Sequence, residues 1–107
     1  MRVAGIGCRP GTGPGPILAA IAASGGADAL ATIPDRAPEL RPVAEALSLP
    51  LRLVAVAGVA TPTQSSRIRS LYGTGSVAEA AAIVCGGRLL ASRRSFGPVT
   101  IAIAEVP

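Results

Sequence analysis

Two glycine-rich segments carry the residues best suited to chemistry in this chain. The first is Gly5-Ile6-Gly7-Cys8-Arg9-Pro10-Gly11-Thr12-Gly13, and the second is Gly73-Thr74-Gly75-Ser76-Val77-Ala78-Glu79-Ala80. Glycine lets a backbone come close to a ligand, and a helix that follows presents unpaired N–H groups at its positive dipole end. Such a place suits a phosphate or a carboxylate. Arg9, Thr12, Thr74 and Ser76 would add donors to it. A guanidinium fork matches a carboxylate in a two-bond geometry that lysine cannot copy.

The same residues exclude several chemistries. A P-loop needs a lysine, and the chain has none. The first segment spaces its glycines G-x-G-x-x-x-G, one residue longer than the dinucleotide fingerprint. Asp28 lies roughly where a ribose-binding acid would stand, yet a second mononucleotide-binding half is missing. No cofactor is expected. Histidine is absent, which removes Cys-His and Ser-His nucleophilic pairs and any histidine metal ligand.

Cys8 sits beside Arg9 near a helix N-terminus, two features that lower a thiol pKa, but no base accompanies it. It reads as a turn residue before it reads as a nucleophile. Glu79 stands three residues after Ser76, the spacing of a capping box, and is fixed locally by that role. Glu79 and Cys8 are the catalytic candidates if there is catalysis. Cys8 and Cys85 have no metal-ligand spacing, so neither a zinc site nor a disulfide is expected, and Cys85 reads as core.

Charge points the same way as the glycines. All ten basic residues are arginine against six acids, a net charge of +4, which favours acidic partners. A GC-rich genome also replaces Lys by Arg, so position matters more than number. Nucleic acid is disfavoured, because Tyr72 and Phe96 are the only aromatics and the longest basic run is Arg93-Arg94. That pair would interest us only if its hairpin folded over the glycine segments, while Arg36 is expected to lie apart from them. The longest aliphatic stretch, residues 17–23, is far short of the ~20 residues a membrane span requires. No basic start with an apolar core follows Met1. A cytoplasmic protein without membrane partners is expected.

The elements that must position these residues are legible from periodicity and punctuation. Residues 2–6 read as a buried strand. Ile17, Leu18 and Ile21 set a helical face that begins at Pro14 and Pro16 and closes at Gly25-Gly26. Residues 29–33 form a strand stopped by Pro34, and Pro38 opens a helix with Leu40, Val43, Ala44 and Leu47 on one face. Residues 51–57 read as a third strand buried on both faces. Gln64 to Tyr72 reads as a short helix with Ile68, Leu71 and Tyr72 inward. The helix after Ser76 ends at Gly86-Gly87, and strands follow at 88–91 and 99–104, joined by a hairpin loop at 93–98. In the last strand Val99, Ile101 and Ile103 share one face.

Strand–helix alternation with short links predicts an α/β fold. It is a three-layer α/β/α sandwich on a mixed, mostly parallel sheet of about five strands, one domain over residues 1–107. The strand ends should bring Arg9, Thr12, Thr74 and Ser76 to one rim at the carboxyl edge of the sheet.

The chain also resembles a known family. The residues that carry the likeness are Gly5-Ile6-Gly7-Cys8-Arg9 with Gly11-Thr12, Leu30-Ala31-Thr32-Ile33, Leu49-Pro50-Leu51, the run from Gly73 to Ala82, and Val99-Thr100-Ile101-Ala102-Ile103-Ala104. In order and spacing they resemble the CobE proteins, and equally the C-terminal domain of CbiG, over essentially the whole chain. Members often carry a second basic residue where this chain has Pro10. They often open the first helix with a hydroxyl and acids, where Gly13-Pro14-Gly15-Pro16 stand here. Pro34 intervenes before Asp35, and Arg93 and Arg94 replace hairpin lysines.

The resemblance implies an α/β/α fold and a place in cobalamin biosynthesis. Its intermediates, the precorrins, are tetrapyrrole-derived macrocycles fringed with acetate and propionate groups. A precorrin-type ligand would be bound by Gly7, Cys8, Arg9, Gly11, Thr12, Thr74, Gly75, Ser76, Arg93 and Arg94, at two strand-to-helix turns. Full-length CbiG implies an alternative, a hydrolase that opens the ring-A lactone of cobalt-precorrin-5A and releases acetaldehyde. A non-catalytic partner of another cobalamin-pathway enzyme is the third reading.

Overall fold

A computed structural model describes all residues, Met1–Pro107. The elements are β1 (Arg2–Cys8), α1 (Pro14–Ala23), β2 (Ala29–Thr32), a 3-10 turn (Pro34–Arg36), α2 (Ala37–Leu47), β3 (Leu51–Leu53), α3 (Ser66–Tyr72), α4 (Val77–Val84), β4 (Arg88–Phe96) and β5 (Val99–Glu105). The sheet has five strands in the order β3-β2-β1-β5-β4. β1, β2 and β3 pair in parallel, while β5 runs antiparallel to both β1 and β4. The α/β class and the mixed sheet of five strands are therefore as expected.

Strand alternation sends different side chains to the two faces. Ala4, Ile6, Leu30, Val99, Ile101 and Ile103 face α1 and α2, where Ile17, Ile21, Leu40 and Val43 meet them. The opposite face is built from smaller groups, with Ala29 and Ala31 packed against Ala80 and Ala81 of α4. Gly5 belongs to this thin face. A Cβ there would run into the Ala78 carbonyl oxygen and lie 2.8 Å from the Ala82 nitrogen. Gly5 is thus a strand residue that admits a helix, Gly7 a strand residue whose added Cβ would lie 2.7 Å from the Thr100 hydroxyl oxygen of β5, and neither is a turn residue; β1 continues to Cys8 opposite Val99.

Three boundaries differ from expectation for physical reasons. β3 ends at Leu53 because its partner β2 is only four residues long, cut short by Pro34. As the edge strand it is largely exposed, and beyond it Val56 of the apolar run is buried in the core while Val54 packs partly buried against it. β4 extends to Phe96, so Arg93 and Arg94 lie in a strand, and the hairpin turn shrinks to Gly97-Pro98. Register shifts between Leu89 and Ala91 and between Ala91 and Arg94 break the period-two pattern, which hides this strand from a sequence reading. In α3, Leu71 points outward at 59% exposure, while Ile68 and Tyr72 are partly buried.

The second glycine segment joins two helices, not a strand to a helix. Gly73 terminates α3 at φ 73° and its N–H donates to the Arg69 carbonyl, a left-handed cap that favours glycine. Gly75 is closely approached by the 61–64 loop, where an added Cβ would lie 2.5 Å from the Thr63 carbonyl oxygen. Two glycines therefore flank Thr74 for two separate reasons.

Candidate functional site

A cavity of about 320 Å3 opens where the carboxyl ends of β1, β2 and β4 meet α3 and the start of α4. Its floor holds Gly7, Cys8 and Thr100, whose hydroxyl donates to the Gly7 carbonyl at 3.3 Å. One wall is apolar, formed by Ile33, Ile68, Leu71, Tyr72 and Val77. The rim carries four arginines, Arg9, Arg36, Arg67 and Arg93, and no acidic side chain lines the space. Ser65 and Ser76, the N-caps of α3 and α4, complete the polar side.

The expected rim forms only in part. Gly7, Cys8, Arg9, Ser76 and Arg93 line the cavity, whereas Gly11, Thr12, Thr74, Gly75 and Arg94 do not. Thr74 is fully buried, and its hydroxyl donates to the Val59 carbonyl at 2.7 Å. The Thr12 hydroxyl is spent inside the first turn on the Arg9 carbonyl at 2.7 Å. Arg94 lies on the α1 side of the sheet, its guanidinium 5.2 Å from the centre of the Phe96 ring, in the range of a cation–π contact.

The first turn already holds an anion, one from the protein itself. The Gly11 N–H donates to Glu39 Oε2 at 2.9 Å, and Arg36 Nη1 lies 3.5 Å from the same oxygen. The Gly11 bond, opposed by burial and assisted by Arg36, holds the Glu39 carboxyl below its ordinary value of 4.5. Arg36 thus stands on the cavity wall rather than apart from it. A sequence signal for it was weak, because the chain reverses through Pro34 before reaching it. Arg67 was legible in principle, since Arg67 and Leu71 are four apart and share a helix face.

Both catalytic candidates acquire other roles. Glu79 is completely buried and does not line the cavity. Its Oε1 accepts the Thr63 N–H at 2.9 Å, and its Oε2 accepts the Thr63 hydroxyl at 2.9 Å and the Arg93 N–H at 3.0 Å. Only half of the capping box forms: Ser76 Oγ accepts the Glu79 N–H at 3.3 Å, but the Glu79 carboxylate does not return to the cap. Cys8 lines the cavity, but its thiol moves opposite to the expected direction. Burial, and then the Glu39 charge, push it above 9.0, outweighing the Thr12 contact and Arg36.

Comparison with known proteins identifies the family. The family model described as cobalamin synthesis G C-terminus matches residues 2–104. No curated protein sequence matches the chain significantly. Among solved structures, CobE, a protein from the cobalamin (vitamin B12) biosynthetic pathway, superposes with a TM-score of 0.77 at 31% identity, covering 100% of this chain and 91% of that one. The cobalamin biosynthesis protein chiG from Agrobacterium tumefaciens superposes with a TM-score of 0.75 at 40% identity, covering 99% of this chain and 98% of that one. The family model spans nearly the whole chain and both solved structures share its fold, and the chain belongs to the cobalamin synthesis G C-terminus family of cobalamin biosynthesis proteins.

Proposed function

We propose that this chain binds a precorrin-type tetrapyrrole intermediate in the cavity between β1, β4 and α3. One observation carries the reading: an apolar wall faces four arginines in a space lined by no acid. A macrocycle with carboxylate side chains has the matching shape of chemistry, an apolar ring face and an anionic fringe. At about 320 Å3 the cavity stands at the small end of ligand sites, which run from about 300 to 1,000 Å3. It takes one edge of such a ring, and the exposed Leu71 lies where the ring face would cover it.

Binding is favoured over lactone hydrolysis by the placement of the two catalytic candidates. Glu79 is occupied by three hydrogen bonds away from the cavity, and burial keeps the Cys8 thiol protonated. The test is a spectroscopic titration with a purified precorrin or a stable carboxylated porphyrin. Micromolar binding that weakens in Arg9→Ala and Arg93→Ala, and not in Arg94→Ala, is the expected result. Absence of binding at micromolar concentration would sink the reading.

A further inference from the structure

Of the four cavity arginines, one holds a buried guanidinium nitrogen without a partner. Arg36 lines the wall, is only 12% exposed, and has a buried Nε with no hydrogen-bond partner. Its neighbour Glu39 does not answer that need. Glu39 Oε2 is shared between the Gly11 N–H and Arg36 Nη1, the latter at a long 3.5 Å, and Glu39 Oε1 is buried without a partner as well. A fork-to-fork pair would have satisfied Nε and Oε1 together. No such pair forms, which leaves an arginine that is held in place by one nitrogen and unsatisfied at another. A buried donor left unmet costs about 1–3 kcal/mol, and in native proteins it calls for a water, an ion or a ligand.

We infer that Arg36 is an oxyanion seat, taking one carboxylate or phosphate group of the ligand on its Nε–H and a neighbouring Nη–H. The salt bridge to Glu39 anchors the guanidinium through Nη1, so the fork does not have to be ordered when the anion arrives. Arg9, Arg67 and Arg93 then contribute field around the rim, whereas Arg36 fixes the position of one acid group. This inference rests on the cavity being the ligand site, but not on the ligand being a tetrapyrrole.

Two measurements test it and separate it from the tetrapyrrole reading. Side-chain Nε–H resonances of the wild-type protein are followed by NMR during addition of acetate and, separately, inorganic phosphate. The Arg36 signal, identified by its loss in Arg36→Gln, is expected to shift with at least one of them, and the responsive anion names the acid class. Uroporphyrin, an octacarboxylate porphyrin, is then titrated into wild type, Arg36→Lys and Arg36→Gln. Both variants should bind it about 10- to 100-fold more weakly, because lysine retains the charge but not the fork. An unresponsive Arg36 Nε–H in the wild-type titrations overturns the seat. Equal uroporphyrin affinity in Arg36→Lys and wild type also overturns it. A wild type that ignores uroporphyrin, yet whose Arg36 signal still answers acetate or phosphate, sustains the seat and removes the tetrapyrrole.

Discussion

The backbone N–H of Arg93 donates to the buried carboxylate of Glu79 at 3.0 Å, tying the rim of the cavity to the first turn of α4. The bond exists because β4 is out of register between Ala91 and Arg94, so Arg93 is not paired with β5. The same carboxylate anchors the 61–64 loop through Thr63. Glu79 therefore serves as a buried brace that sets both the loop beneath α3 and the position of a rim arginine. A charge accepting three donors in the interior is costly to disturb, because each donor loses its partner with it.

Glu79→Gln should destabilise the protein by about 2–4 kcal/mol, measured by urea unfolding. The added amide NH2 would face the N–H and hydroxyl donors that the carboxylate now accepts. Ligand affinity should fall along with stability. A variant of unchanged unfolding midpoint would contradict the brace.

Gly5→Ala and Gly11→Ala should separate close packing from backbone conformation. Gly5→Ala forces α4 off β1 and should cost about 3 kcal/mol or more, or prevent folding. Gly11 has open space around it but φ of 80°, so alanine there should cost only about 1–2 kcal/mol. Melting temperatures of the two variants rank them directly.

Leu71→Ala should leave stability within about 0.5 kcal/mol, since the side chain is 59% exposed. The same change should weaken macrocycle binding about tenfold, because the ring would bury that leucine. Thermal melts and a fluorescence titration on one preparation give both numbers. Loss of stability with unchanged affinity is the result that would contradict the apolar wall.

Cys8 should resist alkylation. Its thiol is pushed above 9.0 first by burial and then by Glu39, so iodoacetamide at pH 8 should label it more slowly in the folded than in the unfolded protein. Glu39→Gln removes a negative charge and should speed the labelling. Mass spectrometry of the Cys8 peptide measures the rate.

Glu39 gives an acid-side dependence of stability. Its carboxyl is depressed below 4.5, so the stabilisation is fully present above that value and is lost as pH falls through the lower, folded-state value. The gap between the urea midpoints of wild type and Glu39→Gln should be widest at pH 7 and close progressively below 4.5. A constant gap would mean that the Gly11 and Arg36 contacts do not depend on the charge.

Helices α1, α2 and α4 and strands β1, β2 and β5 were legible in the sequence, as was the carboxyl edge where the cavity lies. Apolar periodicity, proline starts and glycine stops are local signals, and they survive because each element is long enough to average over its context. The same is true of Ser76 as a cap and of Arg9 at the tip of the first turn. What the sequence could not order was contact across distance. Glu79 looked like a capping-box acid because its nearest donor in sequence is Ser76, yet its carboxylate goes to Thr63 and Arg93, brought in by the packing of α4. The glycines of β1 looked like turn residues because a close-packed helix leaves no mark on its partner's sequence beyond the missing Cβ. Arg93 and Arg94 are neighbours in the chain, and a strand sends consecutive side chains to opposite faces, so only one reaches the cavity. Strand–helix alternation by itself determined the fold class and the carboxyl edge at which the cavity opens. Tertiary packing decided which residues line the site, because burial and hydrogen bonding between distant segments settle where each side chain ends.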